Sequence, residues 1–183
     1  MADVKQTISD FYRVAQARDF SRDFQFRVLT IQAGDGSDVM ISEDDLVYAR
    51  GGSVPARSIS NQAVPYMGLN FNVPGAATYS GSYSLQFMCD NQSAIRRIFE
   101  KWSFDTFDDE DSTGNYFVPR ATSTIDLVQL DPQLNRVSQY QLVGCYPTEV
   151  GEIAYSIEGT GAPTNFNVTF SYHYWKRIRP EKD

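Results

Sequence analysis

The sequence predicts a mainly β, α+β fold: a β-sandwich or partly open barrel with one flanking helix, an N-terminal helix and an extended β-hairpin. Three observations carry this. Several runs alternate apolar and polar side chains with a period of two. In the longest, Asn165 to Trp175, the residues Phe166, Val168, Phe170, Tyr172 and Tyr174 interleave with Asn167, Thr169, Ser171 and His173. Only two segments show helical spacing, and prolines and glycines punctuate the remainder at short intervals.

Taken in order, Val4, Ile8, Phe11, Tyr12 and Ala15 form one apolar stripe on an otherwise polar N-terminal helix, an arm over residues 1–20. Phe24 to Ile31 reads as a strand closed by the turn-rich Ala33 to Asp38, and Leu46 to Arg50 as a second strand. Residues 51–75 hold Pro55, Pro65 and Pro74 among several glycines, with the alternation Leu69, Phe71, Val73. Proline confines such runs to edges or to a protruding ribbon. A long hairpin reaching towards a neighbour fits this composition, with a plain surface loop as the alternative.

Ser82 to Cys89 alternates again, and Asp90 or Asn91 can cap the helix whose buried stripe is Ala94, Ile95, Ile98, Phe99 and Trp102. An acidic loop spans Asp105 to Asn115. Thr122 to Leu130 and Arg136 to Tyr146 flank the turn Asp131 to Asn135 as a hairpin, Ile153 to Ile157 is a shorter strand, and the long final strand follows Gly159 to Pro163. With 183 residues and 42% hydrophobic content the chain can bury the core of one domain, 1–183, ending in a basic tail over 176–183.

The residues offer no catalytic, cofactor or metal constellation. His173 is the single histidine and has no spaced partner, so a structural or solvent-facing role is expected. The run Asp108 to Asp111 lacks the bidentate glutamate of a calcium loop, because Arg120 stands where that ligand belongs. A formal net charge of −7 argues against binding nucleic acid by phosphate neutralisation, while leaving room for DNA to pass close by. No apolar run is long enough for a membrane span, so no stable membrane association is expected. Cys89 and Cys145 read as free buried thiols in an intracellular protein.

Three separated pieces share a family pattern. They are Arg18 to Val28 after the first helix, the strand–cap–helix Leu85 to Trp102 (with Ala94, Arg97, Phe99 and Trp102), and Gln141 to Ile153 followed by Phe166 to Trp175. The third piece, with Gly144-Cys145-Tyr146-Pro147 and Val150-Gly151-Glu152-Ile153, is the most specific. Together they resemble the tail tube proteins of contractile-tailed bacteriophages of the T4 type, whose fold is shared with type VI secretion tubes.

The resemblance implies a non-enzymatic virion protein, assembled in the host cytoplasm. Such a subunit closes into hexameric rings, and the rings stack into a hollow tube for genome ejection. The implied partners are the chain itself, the tail sheath protein, the baseplate hub and the tape measure protein, with DNA crossing the lumen without specific binding. An acidic lumen is expected from the net charge. From polar alternation Asn70, Asn72, Ser82, Ser84 and Gln86 are candidate lumen-facing residues. Phe11, Tyr12, Arg57, Tyr66, Lys176, Arg177 and Arg179 are candidate inter-subunit or inter-ring contacts. Ala33 to Asp45 and Phe107 to Val118 are longer and more acidic than the family pattern. The alternatives are a tube initiator or terminator, the tube protein of a type VI or extracellular injection system, or a monomeric β-sandwich binding module presenting Tyr66, Tyr79 and Trp175.

Overall fold

The computed structural model describes residues 7–34, 39–114 and 122–178. Two four-stranded antiparallel sheets enclose one core. The first has the order β1 (Phe26–Ala33), β8 (Ser123–Leu130), β9 (Arg136–Val143), β12 (Tyr174–Ile178). The second has the order β10 (Tyr146–Val150), β11 (Asn165–Ser171), β5 (Ser82–Met88), β2 (Ala49–Gly51). Helix α3 (Ala94–Thr106) lies against β10 and buries Ile95, Phe99 and Trp102. Phe99 is fully buried, with its ring 4.9 Å from that of Phe87 and 5.8 Å from that of Phe170. The architecture is the expected β-sandwich with a flanking helix, and its sheets stay open rather than closing into a barrel.

The sequence expectation fails most usefully at the two longest alternating runs. Arg136 to Tyr146 is not one strand: β9 ends at Val143, Gly144 turns with φ +75°, and β10 continues in the other sheet. Asn165 to Trp175 is likewise divided, since β11 ends at Ser171 and β12 starts at Tyr174 in the first sheet. The two crossings face each other, because Tyr146 pairs with Ser171 on one side and Val143 with Tyr174 on the other. A sandwich turns its corners with strands that bend from sheet to sheet. His173 fills this corner: a Cβ on Gly144 would stand 2.0 Å from its ring. The lone histidine is therefore exposed but structural.

Smaller corrections follow from local chemistry. Leu46 to Arg50 is divided between α2 (Glu43–Leu46), capped reciprocally by Ser42 and Asp45, and the short β2. The hairpin is shifted towards the C-terminus of 51–75, pairing β3 (Arg57–Tyr66) with β4 (Leu69–Tyr79) around Met67-Gly68, both with positive φ as a tight hairpin turn requires. Helix α3 starts after Ser93 (φ +52°), which makes no side-chain cap bond, and of the two expected caps it is Asp90 whose carboxyl meets the first helical amides. Desolvation raises the Asp90 pKa, but the backbone amides of Ala94, Ile95 and Gln92 outweigh it and hold the carboxyl below its ordinary value. The acidic loop is shorter than expected: α3 runs to Thr106, and β6 (Phe107–Asp108) pairs with β7 (Thr113–Gly114). Ile153 to Ile157 forms no strand. The basic tail begins inside β12, which contains Lys176, Arg177 and Ile178, while Arg179 and the rest of 179–183 lie outside the described residues. Val4, and the part of the Phe107 to Val118 segment beyond Gly114, lie outside them as well.

Candidate assembly surfaces

Strand alternation builds the first surface. On β5, Tyr83, Leu85 and Phe87 are buried, which turns Ser82, Ser84 and Gln86 outward. β11 repeats the pattern, with Phe166, Val168 and Phe170 in the core. The register aligns the two polar rows: Ser82 opposite Ser171, Ser84 opposite Thr169 and Gln86 opposite Asn167. Glu149 of β10 stands opposite Thr169, and Thr148 Oγ1 donates to the Thr169 carbonyl at 3.0 Å. A depression of about 310 Å³ lies over Ser84, Gln86, Asn167 and Thr169 and is bounded by Glu149 and Glu152.

Neither β5 nor β11 contains a charged residue. Carboxylates reach the face from its β10 side, through Glu149 and Glu152, and others lie in α2 (Glu43, Asp44, Asp45) and around the β6–β7 turn (Asp108 to Asp111). This candidate lumen face therefore joins rows of hydroxyls and amides on β5 and β11 to the Glu149 and Glu152 carboxylates on its β10 side. Ser82, Ser84 and Gln86 come together on it. Asn70 and Asn72 do not, because both belong to β4, opposite Pro65 and Ala63. Asn167 and Thr169 were missed as site residues. Their alternation is plain in the sequence, but only the β5–β11 register shows that they complete the same face.

The second surface is apolar and unpartnered. Helix α1 (Ile8–Arg18) is capped by Thr7 and Asp10 in a reciprocal box and buries no residue. Phe11 and Tyr12 are 58% and 61% exposed, and the Phe11 ring stacks on Phe20 at 5.7 Å. On the β3–β4 hairpin the pairs Tyr66–Leu69 and Val64–Phe71 share one face with Val73, and all five are exposed. The other face carries Asn70 and Asn72. An isolated two-stranded ribbon is marginal in water, so exposed apolar pairs along it call for a partner.

The ribbon's base is fixed. Trp175 Nε1 donates to the Ala56 carbonyl at 3.0 Å, and the Trp175 ring lies 6.4 Å from Tyr79. Tyr83 Oη donates to the Ser53 carbonyl at 2.7 Å and accepts from the Ser53 amide, and burial pushes the phenol's pKa above its ordinary value. Arg57 begins β3 opposite Tyr79.

The third surface is basic. Lys176 is exposed opposite Gln141, and Arg177 donates to Ser138 Oγ at 2.7 Å. Among the described residues no cluster of three or more His, Cys, Asp or Glu is placed to hold a metal ion. The Asp108 carboxylate instead accepts from the Glu110 and Asp111 amides, closing the small β6–β7 hairpin.

The sandwich thus leaves a polar sheet face, an apolar ribbon and an apolar helix to solvent. The chain belongs to the phage tail tube protein family, whose model matches residues 15–178. Its role is accordingly that of a structural tail tube component. No curated protein matches the sequence.

Solved structures share the fold at low identity. The sheath/tube terminator of the PVC extracellular contractile injection system, in its extended state, matches with TM-score 0.60 at 12% identity, over 86% of this chain and 96% of that one. The tube-terminating cap of the anti-feeding prophage gives 0.59 at 10% identity, over 97% and 99%. The PVC sheath–tube complex in its extended state gives 0.51 at 11% identity, over 95% and 99%.

Proposed function

We propose that the chain closes into hexameric rings that stack into the hollow tube of a contractile phage tail, and that the tube conducts the viral genome. The polar β5–β11 face carries this reading. A sheet with one packed and one polar face can line water when its edges are joined to those of neighbouring copies. Its hydroxyls and amides, bordered by the Glu149 and Glu152 carboxylates, give DNA no phosphate-binding cations to stick to. In this reading the acidic loops face outward, the contractile sheath surrounds the tube, and the baseplate hub and tape measure protein template its growth. Assembly takes place in the host cytoplasm and the finished subunit resides in the virion tail.

Rings stack through the apolar stripe of α1 and the apolar face of the hairpin. Deleting Ala2 to Arg18 should leave single rings that no longer stack. Tubes of normal length from that truncation, in negative-stain electron microscopy, would remove α1 from the ring-to-ring contact.

A further inference from the structure

β10 and β11 are antiparallel neighbours, which a hairpin can join with as few as ~2 residues. Here the connection runs from Gly151 to Thr164. A connection of this length without secondary structure is uncommon in a compact domain. The chain leaves the sheet at a defined point: the Gly151 amide donates to the Asn167 carbonyl at 2.7 Å, and Arg96 of α3 donates to the Gly151 carbonyl. Beyond it, Glu152 to Ser156 makes no ladder pairing, and a turn closes the run where the Gly159 amide donates to the Ser156 carbonyl.

This unpaired run has the sequence of a strand, with Ile153, Tyr155 and Ile157 alternating with small or polar residues. Ile153 rests on the core, while Tyr155 and Ile157 are 74% and 106% exposed. The arm is also one-sided in charge. It carries Glu152 and Glu158 beside Glu149 of β10, and no lysine or arginine occurs between Arg136 and Lys176.

A complementary edge exists on the same molecule. β12 ends the first sheet, so one side of its backbone has no neighbouring strand. It carries exposed Lys176 and Arg177, and no carboxylate lies in the sequence between Glu158 and Glu181. No ion pair among the described residues uses Glu149, Glu152, Glu158, Lys176 or Arg177.

We infer that the arm Glu152 to Ser156 of one copy adds as a strand to the β12 edge of the next copy around the ring. The acidic flanks of the arm face Lys176 and Arg177, and the added strand covers the exposed edge. The contact is head-to-tail, so repetition closes a ring by rotation. It explains why a segment with strand sequence is unpaired in the single chain. The inference rests on the proposal that the protein forms rings.

The test uses the full-length protein across a concentration series, with rings read by sedimentation velocity and negative-stain microscopy. Glu152→Lys with Glu158→Lys should raise the concentration at which rings appear by about tenfold. Adding Lys176→Glu and Arg177→Glu to the same chain restores opposite charges across the contact and should bring assembly back to within about threefold of wild type, given the size of exposed ion pairs. Separately, Tyr155→Pro removes a ladder donor and should impair rings where Tyr155→Thr, which favours extended backbone, does not. The substituted side chains are exposed, so the thermal midpoints of the monomers should stay with wild type. Normal assembly of the Glu152/Glu158 variant, or no recovery in the charge-swapped chain, would overturn the inference while wild-type rings uphold the ring reading. A wild-type chain that stays monomeric would overturn both.

Discussion

Replacing Gly144 with alanine tests the corner on which the two sheets depend. Two costs are separable there. With φ at +75°, an L side chain at this position costs on the order of 1–2 kcal/mol. A Cβ would also lie 2.0 Å from His173 Cδ2 and 2.8 Å from Nε2, so the imidazole must leave its place between the crossings. Forcing one extra carbon into a packed site costs roughly 1–3 kcal/mol. Gly144→Ala should therefore lose about 2–5 kcal/mol, a fall in thermal midpoint of roughly 4–20 °C for a chain of this size. In a His173→Ala background the steric part vanishes, and only about 1–2 kcal/mol should remain. Urea unfolding of the four proteins in this cycle gives the coupling directly. Equal costs of Gly144→Ala in both backgrounds would refute the steric argument, and a cost below about 0.5 kcal/mol would refute the backbone argument as well.

Phe99→Ala removes a fully buried ring from between Phe87, Phe166 and Phe170 and should destabilise by about 3–5 kcal/mol in the same assay, while leaving the exposed surfaces untouched. Cys145 is buried in the corner, and that burial pushes its thiol up to about 12, whereas Cys89 is half-buried. A thiol reagent at pH 8 should add one label, detected by mass spectrometry and lost in Cys89→Ser. Because the folded pKa of Cys145 lies above the unfolded ~8.5, its contribution to stability is complete below that pH and is lost as pH rises towards 12. Urea midpoints should accordingly decline on the alkaline side, and less so in Cys145→Ala.

Period-two alternation made β5 and β11 legible, and period-3.6 spacing did the same for α3, because each buries one face and each face is written locally; the apolar stripe of α1 is as plain, although it buries nothing in the single chain. The sheet crossings were not legible. Gly144 and His173 interrupt their runs without breaking the alternation, and only the meeting of two distant segments makes both bends necessary. Ile153 to Ile157 fails in the opposite way: its local pattern is that of a strand, yet it pairs with none of the sheet edges of its own chain. Of the candidate lumen residues, Ser82, Ser84 and Gln86 share a face because they share a strand. Asn70 and Asn72 have the same alternation on a ribbon that leaves the sandwich, and side-chain period alone does not say which sheet a strand joins. Total charge carries no information about where the carboxylates sit, and only the β10–β11 register brings Glu149 to the border of the candidate lumen face.

The central claim is that copies of this chain close into rings with the β5–β11 face towards the axis. Electron cryomicroscopy of the assembled, untagged protein tests it most directly. The account predicts six-fold rings stacked into a tube of uniform bore, with Ser84, Gln86, Asn167 and Thr169 lining it and the α2 and β6–β7 carboxylates outside. Rings whose bore is lined by those carboxylates, or a protein that remains a compact monomer at every concentration, would contradict it.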